Sequence, residues 1–311
     1  MSQAVLICGS VAFDTIAVFD GRFKEHILAD RIHALSVSFL VPSMRREYGG
    51  CAGNIAYNLK MLGGNPLPVA TVGEDAGDYL TRLQGFGIET RRVQVVPDTL
   101  TAQCFITTDL DDNQISAFHP GAMDFSAQND ISSEKAAWAI VAPDSKAGML
   151  AHVERLASAG VPAIFDLGQA MPLFNADDLR GVIGKVRALA LNDYEASVVE
   201  QRTGSSIEQL AVDLDAVVVT RGAEGASLYT QGKEVQIKPV AATDVVDPTG
   251  CGDSHRAGLL YGLTQGWDWE QSCMLGNVMG SIKIASRGPQ NHWVDPQQID
   301  QIMRRAYGCG L

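Results

Sequence analysis

The chain has 311 residues, 46% hydrophobic and 19% charged, with 31 glycines and 12 prolines; that profile fits a loop-rich globular enzyme and excludes a disordered or fibrous chain. A formal net charge of −12 opposes nucleic acid or a membrane surface as partner, because both are held through Lys and Arg. No apolar stretch is long enough to span a bilayer, and six cysteines without a CxxC pair indicate reduced thiols, not a zinc site or a disulfide framework.

At the N-terminus, Met1-Ser2-Gln3 runs straight into the apolar run Val5 to Cys8, with no basic segment or cleavage site, which predicts a cytoplasmic location. Further runs at Val69 to Val72, Ala139 to Ala142, Ala163 to Phe165, Ala188 to Leu191 and Val217 to Thr220 are each followed by helical patterning. That alternation predicts an α/β fold with a mostly parallel central sheet. Residues 11–42 and 99–120 break the pattern and read as strand pairs rich in Val, Phe, Ile and Thr, forming a small β-sheet lid. With no repeat or linker signal, one domain spanning 1–311 is expected. After Gly53, Ile55, Ala56, Leu59 and Leu62 share one helical face, and Gly63-Gly64 closes that helix.

Two glycine-rich segments carry the chemistry. Gly250-Cys251-Gly252-Asp253 precedes the helical pattern Ala257, Leu259, Leu260, Leu263, so its free amides and the positive helix end would face an incoming phosphate. A carboxylate beside such a cradle repels phosphate in the ground state, which points to Asp253 as the acceptor of a proton from an attacking hydroxyl. The same spacing also fits a helix cap and a turn. The second segment, Tyr48-Gly49-Gly50-Cys51-Ala52-Gly53-Asn54, again opens a helix, and two such loops on one sheet predict two ligands meeting at the strand C-termini.

These residues resemble the ribokinase (PfkB) family of carbohydrate and nucleoside kinases. The resemblance rests on Gly49 to Asn54, on Asp247-Pro248-Thr249-Gly250-Cys251-Gly252-Asp253, on Asn192-Asp193-Tyr194-Glu195 and on Val219 to Gly225, in the family's order. It implies a ribokinase-like three-layer sandwich with Asp253 as general base, the amides of Gly250, Cys251 and Gly252 cradling the transferring phosphoryl group, and ATP as donor. Asn192 and Glu195 would position phosphate and a hydrated Mg²⁺, Glu195 acting through water. Thr220, Gly222, Gly225 and Asn277 would line the nucleotide. Asp14, Gly50 and Asn54 would hold the substrate sugar. A potassium ion is implied near the cradle, between the Asp247 region and the carbonyls around Ala285 to Gly288. The lid is a dimer surface in some members, so a homodimer and a monomer are both open.

The chain departs from the family pattern at Cys251, where alanine is usual, at Pro248 for threonine, and at His255 for an aromatic residue. Cys251 still offers its amide and reads as a packed small side chain; His255 reads as a packing residue, with a catalytic role as the sharper alternative. Gly53 to Lys60 and Phe118 to Met123 look most like the family's nucleoside and adenosine kinases. Phe105 and Phe118, with Gln103 nearby, would stack on and hydrogen-bond a purine, or cover the lid's inner face. Adenosine, phosphorylated on its 5′-hydroxyl to give AMP, is the expected substrate. A ribokinase- or fructokinase-like sugar kinase shares every catalytic residue and is the alternative. A non-catalytic regulatory protein would have no use for Asp253. Lid closure is expected, with Arg45 and Arg46 at the hinge.

Overall fold

The computed structural model describes residues 4–27, 36–111 and 113–311. The six apolar runs become strands because each offers three or four consecutive residues that can be buried on both faces, as a covered parallel sheet requires. In chain order the strands are β1 Val5–Cys8, β2 Ala12–Val18, β3 Ser43–Gly49, β4 Pro66–Val72, β5 Val93–Val95, β6 Ala102–Thr108, β7 Gln114–His119, β8 Trp138–Val141, β9 Ala163–Asp166, β10 Ala188–Asn192, β11 Ala216–Thr220, β12 Ala226–Thr230 and β13 Lys233–Ile237.

Among the described residues, nine strands form the main sheet in the order β13-β12-β11-β10-β9-β8-β1-β4-β5. Strands β11 to β5 in that order run parallel, and the hairpin β12–β13 adds two antiparallel strands at one edge. Alternation along each strand sends Ile7, Ile140, Ile164 and Val218 to one core, and Leu6, Val141, Phe165 and Val217 to the other. Helices Cys51–Met61, Gly77–Gly85 and Cys251–Thr264 cover the first face; Lys146–Ala159, Ala176–Ile183 and Asp193–Thr203 cover the second. The result is the mostly parallel sheet expected from the alternation, covered on both faces as the three-layer sandwich implied by the resemblance.

A second sheet has the order β3-β2-β6-β7. It is mixed: β2 pairs antiparallel with β3 and parallel with β6, and β6 forms a hairpin with β7. The second strand of the first pair is Ser43–Gly49, beyond residue 42 where the sequence reading ended that segment. Between β2 and β3 lies the four-residue helix Phe23–His26, and residues 28–35 of the expected lid fall outside the described residues. Among the described residues, no helix is long and apolar enough to cross a membrane.

Candidate active site

The Asp253 site lies at the N-terminus of helix Cys251–Thr264. Gly250, its N-cap, has φ +81°, and a Cβ there would sit 2.7 Å from Pro289 Cβ, so only glycine makes this turn without strain. The Cys251 amide closes the turn by donating to Pro248 O at 3.1 Å. Among the described residues the amides of Gly250 and Gly252 have no hydrogen-bond partner, and Gly252 is exposed. Two of the three expected cradle amides are therefore open to an anion, while that of Cys251 is committed to the turn.

Asp253 follows with an open edge and crowded flanks. Burial pushes its carboxyl up to about 7, against the amide of Asn54, which favours the ionised form; the charge of Asp166 adds to the rise. Asn54 Nδ2 donates to Asp253 Oδ2 at 2.8 Å, across 199 residues of chain. Asn54 is itself fixed: its Oδ1 accepts from Gln290 Nε2 at 2.9 Å, and Tyr79, within reach of the same Gln290 amide, donates to Gly49 O at 2.7 Å. An amide held on both sides cannot rotate away from the carboxylate it orients.

Asp14, on β2, faces the same region. Burial raises its carboxyl to about 6, helped by the charges of Glu47 and Asp247. Gly49 makes room for it, since a Cβ there would meet Asp14 Oδ2 at 2.4 Å. Gly50 has φ +82° and a hypothetical Cβ 2.6 Å from Ala12 N and Ser10 O, so its role is the close passage of two backbones. At the helix it opens, Cys51 N donates to Ser10 Oγ and Ala52 N to Ser10 O. These contacts tie the second glycine-rich loop to the β1–β2 connection and place Asn54.

Behind Asp253 lies a buried ion pair that the sequence reading missed. Arg256 Nε donates to Asp166 Oδ2 at 3.0 Å, and both side chains are buried. Arg256 is also close enough to Glu195 and Asp253 for their charges to favour its cationic form. One guanidinium thus faces three carboxylates, and its Nη1 has no partner. Arg256 stands three residues after Asp253, on one helical face with it, and an arginine inside an otherwise apolar helix was the available signal. Asp166 ends an apolar strand, where an unexplained carboxylate was the corresponding hint.

Asn192 and Thr220 close the C-terminal ends of β10 and β11, where they are register partners. Asn192 caps helix Asp193–Thr203 in a reciprocal box: Glu195 N donates to Asn192 Oδ1 at 2.8 Å, and Glu195 accepts from Asn192 N and Nδ2 at 2.9 Å each. Burial, with the Asp166 charge, raises the Glu195 carboxyl. Among the described residues, no group of three or more acidic, Cys or His side chains could hold a metal ion directly. Glu195 fits the water-mediated arrangement, because each of its oxygens accepts one bond and keeps a lone pair.

The model for the pfkB family of carbohydrate kinases matches residues 14–296. The chain belongs to that family. A nucleoside kinase from Methanocaldococcus jannaschii is 30% identical over 264 residues, covering 83% of this chain and 85% of that one. The solved nucleoside kinase of Burkholderia thailandensis in complex with inosine superposes with a TM-score of 0.89 at 48% identity, over 98% of this chain and 99% of that one. The same enzyme with ADP and inosine gives 0.87 at 49%, over 98% and 97%. This pfkB-family kinase is therefore a phosphotransferase with an alcohol group as acceptor, and its fold is ribokinase-like.

For the kinase, the coordinates correct the placing of Gln103 and Phe105 and give the surroundings of the other expected residues. In the small sheet, Asp14, Glu47, Cys104 and Phe118 are in register and share one face, whereas Gln103 and Phe105 alternate to the other. Gln103 binds Asp75 Oδ2 at 3.3 Å on that opposite face, beside Arg46, whose guanidinium lies 3.5 Å from the Phe13 ring centroid. Phe118 alone of the three shares the Asp14 face. Arg45 lies on the Asp14 face and pairs with Glu47 at 3.3 Å. Asn277 uses its amide on Lys238 O at 3.0 Å, so it pins the end of β13. Gly225, with φ +91° and a hypothetical Cβ 2.2 Å from Ile237 O, permits the tight passage beside that same strand. Thr220 donates to Leu191 O at 3.2 Å, and Gly222 opens the single turn Gly222–Glu224. His255 is buried and packs on Gly276, and burial lowers its imidazole to about 3, so it stays neutral and turns away from the chemistry. Burial holds the Cys251 thiol up at about 11, consistent with packing and not reactivity.

Proposed function

We propose that the protein is an ATP-dependent purine nucleoside kinase in which Asp253 takes the proton of the 5′-hydroxyl as its oxygen attacks the γ-phosphorus. The bond from that phosphorus to the β–γ bridging oxygen breaks, and ADP leaves. The observation that carries the proposal is the pairing of Asp253 with Asn54 at a helix start whose Gly250 and Gly252 amides are open. A base poised at about 7 is mostly ionised just above neutrality yet still accepts a proton readily, the compromise general-base catalysis requires.

Asp14 accepts hydrogen bonds from the ribose hydroxyls, and Asn54 presents the sugar to Asp253. Phe118, exposed on the Asp14 face, supplies an aromatic surface for the base. A hydrated magnesium ion bound with the nucleotide supplies neutralisation of the phosphate charge; Glu195, held by Asn192, would take hydrogen bonds from its waters. Thr220 and Gly222 border the nucleotide, with Gly225 and Asn277 shaping that wall.

Adenosine belongs to the acceptor class expected here, but the inosine bound by the Burkholderia enzyme favours a pocket that accepts a 6-oxo purine. Comparing kcat/KM on inosine, adenosine, ribose and fructose with ATP tests the reading. Inosine is expected to lead, followed by adenosine. Ribose or fructose turned over better than either nucleoside would overturn the nucleoside assignment in favour of a sugar kinase.

A further inference from the structure

The family resemblance brings with it a potassium ion between the Asp247 segment and the carbonyls of residues 285–288. The side chain of Lys283 occupies that place. Lys283 ends helix Trp269–Lys283 and has no exposed surface. Its Nζ donates to Asp247 O at 2.8 Å and to Ser286 O at 2.9 Å.

An ordinary lysine at a helix C-terminus reaches back to the nearest carbonyls and keeps its ammonium in water. Ser286 O is such a local partner. Asp247 O is not, since it lies 36 residues away, on the segment that leads into the phosphate cradle. Burying an ammonium is costly unless oxygens replace its water, so a wholly buried lysine on two converging backbone carbonyls marks a built cation site. Convergent backbone carbonyls are also the ligands that potassium takes in place of its hydration shell. The carboxylates around the ammonium are those of Asp247 and Glu47. A second monovalent cation beside it would be repelled by the ammonium charge, so ammonium and potassium exclude one another.

We propose that the Lys283 ammonium is a built-in replacement for the monovalent cation and holds the phosphate cradle in place without potassium. Its two bonds join the walls of the cradle. On one wall, Asp247 N and Val246 N donate to Ile284 O, and Thr249 N donates to Asp247 Oδ1. On the other, Gly288 N donates to Asp247 Oδ2 at 2.8 Å, and Pro289 seats Gly250. Lys283 is thus a positioning residue: it acts on phosphate through Asp247 and Gly250, not by touching the reacting atoms.

The inference rests on residues 250–253 being the phosphate cradle of a kinase, so the test includes readouts of cation binding that need no phosphoryl transfer. The wild-type protein is assayed with potassium, sodium or tetramethylammonium as sole monovalent cation at equal ionic strength. Its kcat is expected to agree within about twofold across the three. Its melting temperature should not rise with potassium, and thallium NMR should detect no bound thallium. Lys283→Ala is expected to lose kcat about 10- to 100-fold in sodium, and to regain activity and melting temperature in potassium or ammonium but not in tetramethylammonium. Should the variant not fold in sodium, its refolding yield in potassium or ammonium against sodium becomes the readout. Activation of the wild type tenfold or more by potassium, thallium bound to the wild type, or a Lys283→Ala protein indifferent to the cation would each overturn the proposal.

Discussion

Asp253 is raised by burial and ionised by its neighbours, and the balance depends on groups that never touch substrate. Asn54 favours the carboxylate through one hydrogen bond, while Asp166 opposes it through charge and is itself neutralised by Arg256. Replacing Arg256 by Met keeps the volume but leaves Asp166 buried and unpaired, which is expected to cost about 3–5 kcal/mol of stability. Urea unfolding measures it, and a loss below about 1 kcal/mol would mean that Asp166 is solvated or protonated in the fold. Adding Asp166→Leu to Arg256→Met should restore much of the loss, because no charge is then left unpaired. Asp253 was singled out from its own motif, a carboxylate beside two glycines at a helix start, whereas Asp14 and Asn54 were singled out only through the family resemblance. Asp166, Arg256, Gln290 and Lys283 were not singled out, since each has a partner 36 to 236 residues distant and looks alone like an ordinary charged or polar residue.

The small sheet shows what strand composition leaves open. Residues 99–120 are legible as a β-hairpin, but aromatic residues fall on both of its faces, and only the register with β2 tells which face meets Asp14. Phe118→Ala is therefore expected to raise KM for inosine by about tenfold, the loss of one aromatic stacking contact, with little change for a sugar acceptor. Phe105→Ala, on the far face, should leave both unchanged; equal effects of the two substitutions on inosine KM would contradict the face assignment. The glycine-rich loop at 49–54 teaches a similar point. Its spacing matches that of the Asp253 segment, yet Ser10 from the β1–β2 connection takes the amides of Cys51 and Ala52. Glycine there serves close packing of backbones, which a pattern of glycines alone does not distinguish from ligand binding.

At the scale of the whole molecule, the six central strands were legible because their burial on both faces demands continuous apolar runs. Strands β5 and β13 were not: with the sequences Val-Gln-Val and Lys-Glu-Val-Gln-Ile they lie at the two edges, where polar residues are tolerated and blunt the edge. The fold then brings the ends of β10 and β11, the start of helix Cys251–Thr264, and the Asp14 face of the small sheet toward one site. That convergence is the central claim, and its sharpest test is the pH dependence of kcat for ATP with inosine in the wild type and in Asp253→Asn. An ionised base is required, so wild-type kcat should fall with slope one as pH drops below about 7. Asp253→Asn should lower kcat about 10²- to 10⁴-fold, leave KM for inosine nearly unchanged, and abolish that limb. A variant that keeps kcat, or that keeps the same acid limb, would show that Asp253 is not the base.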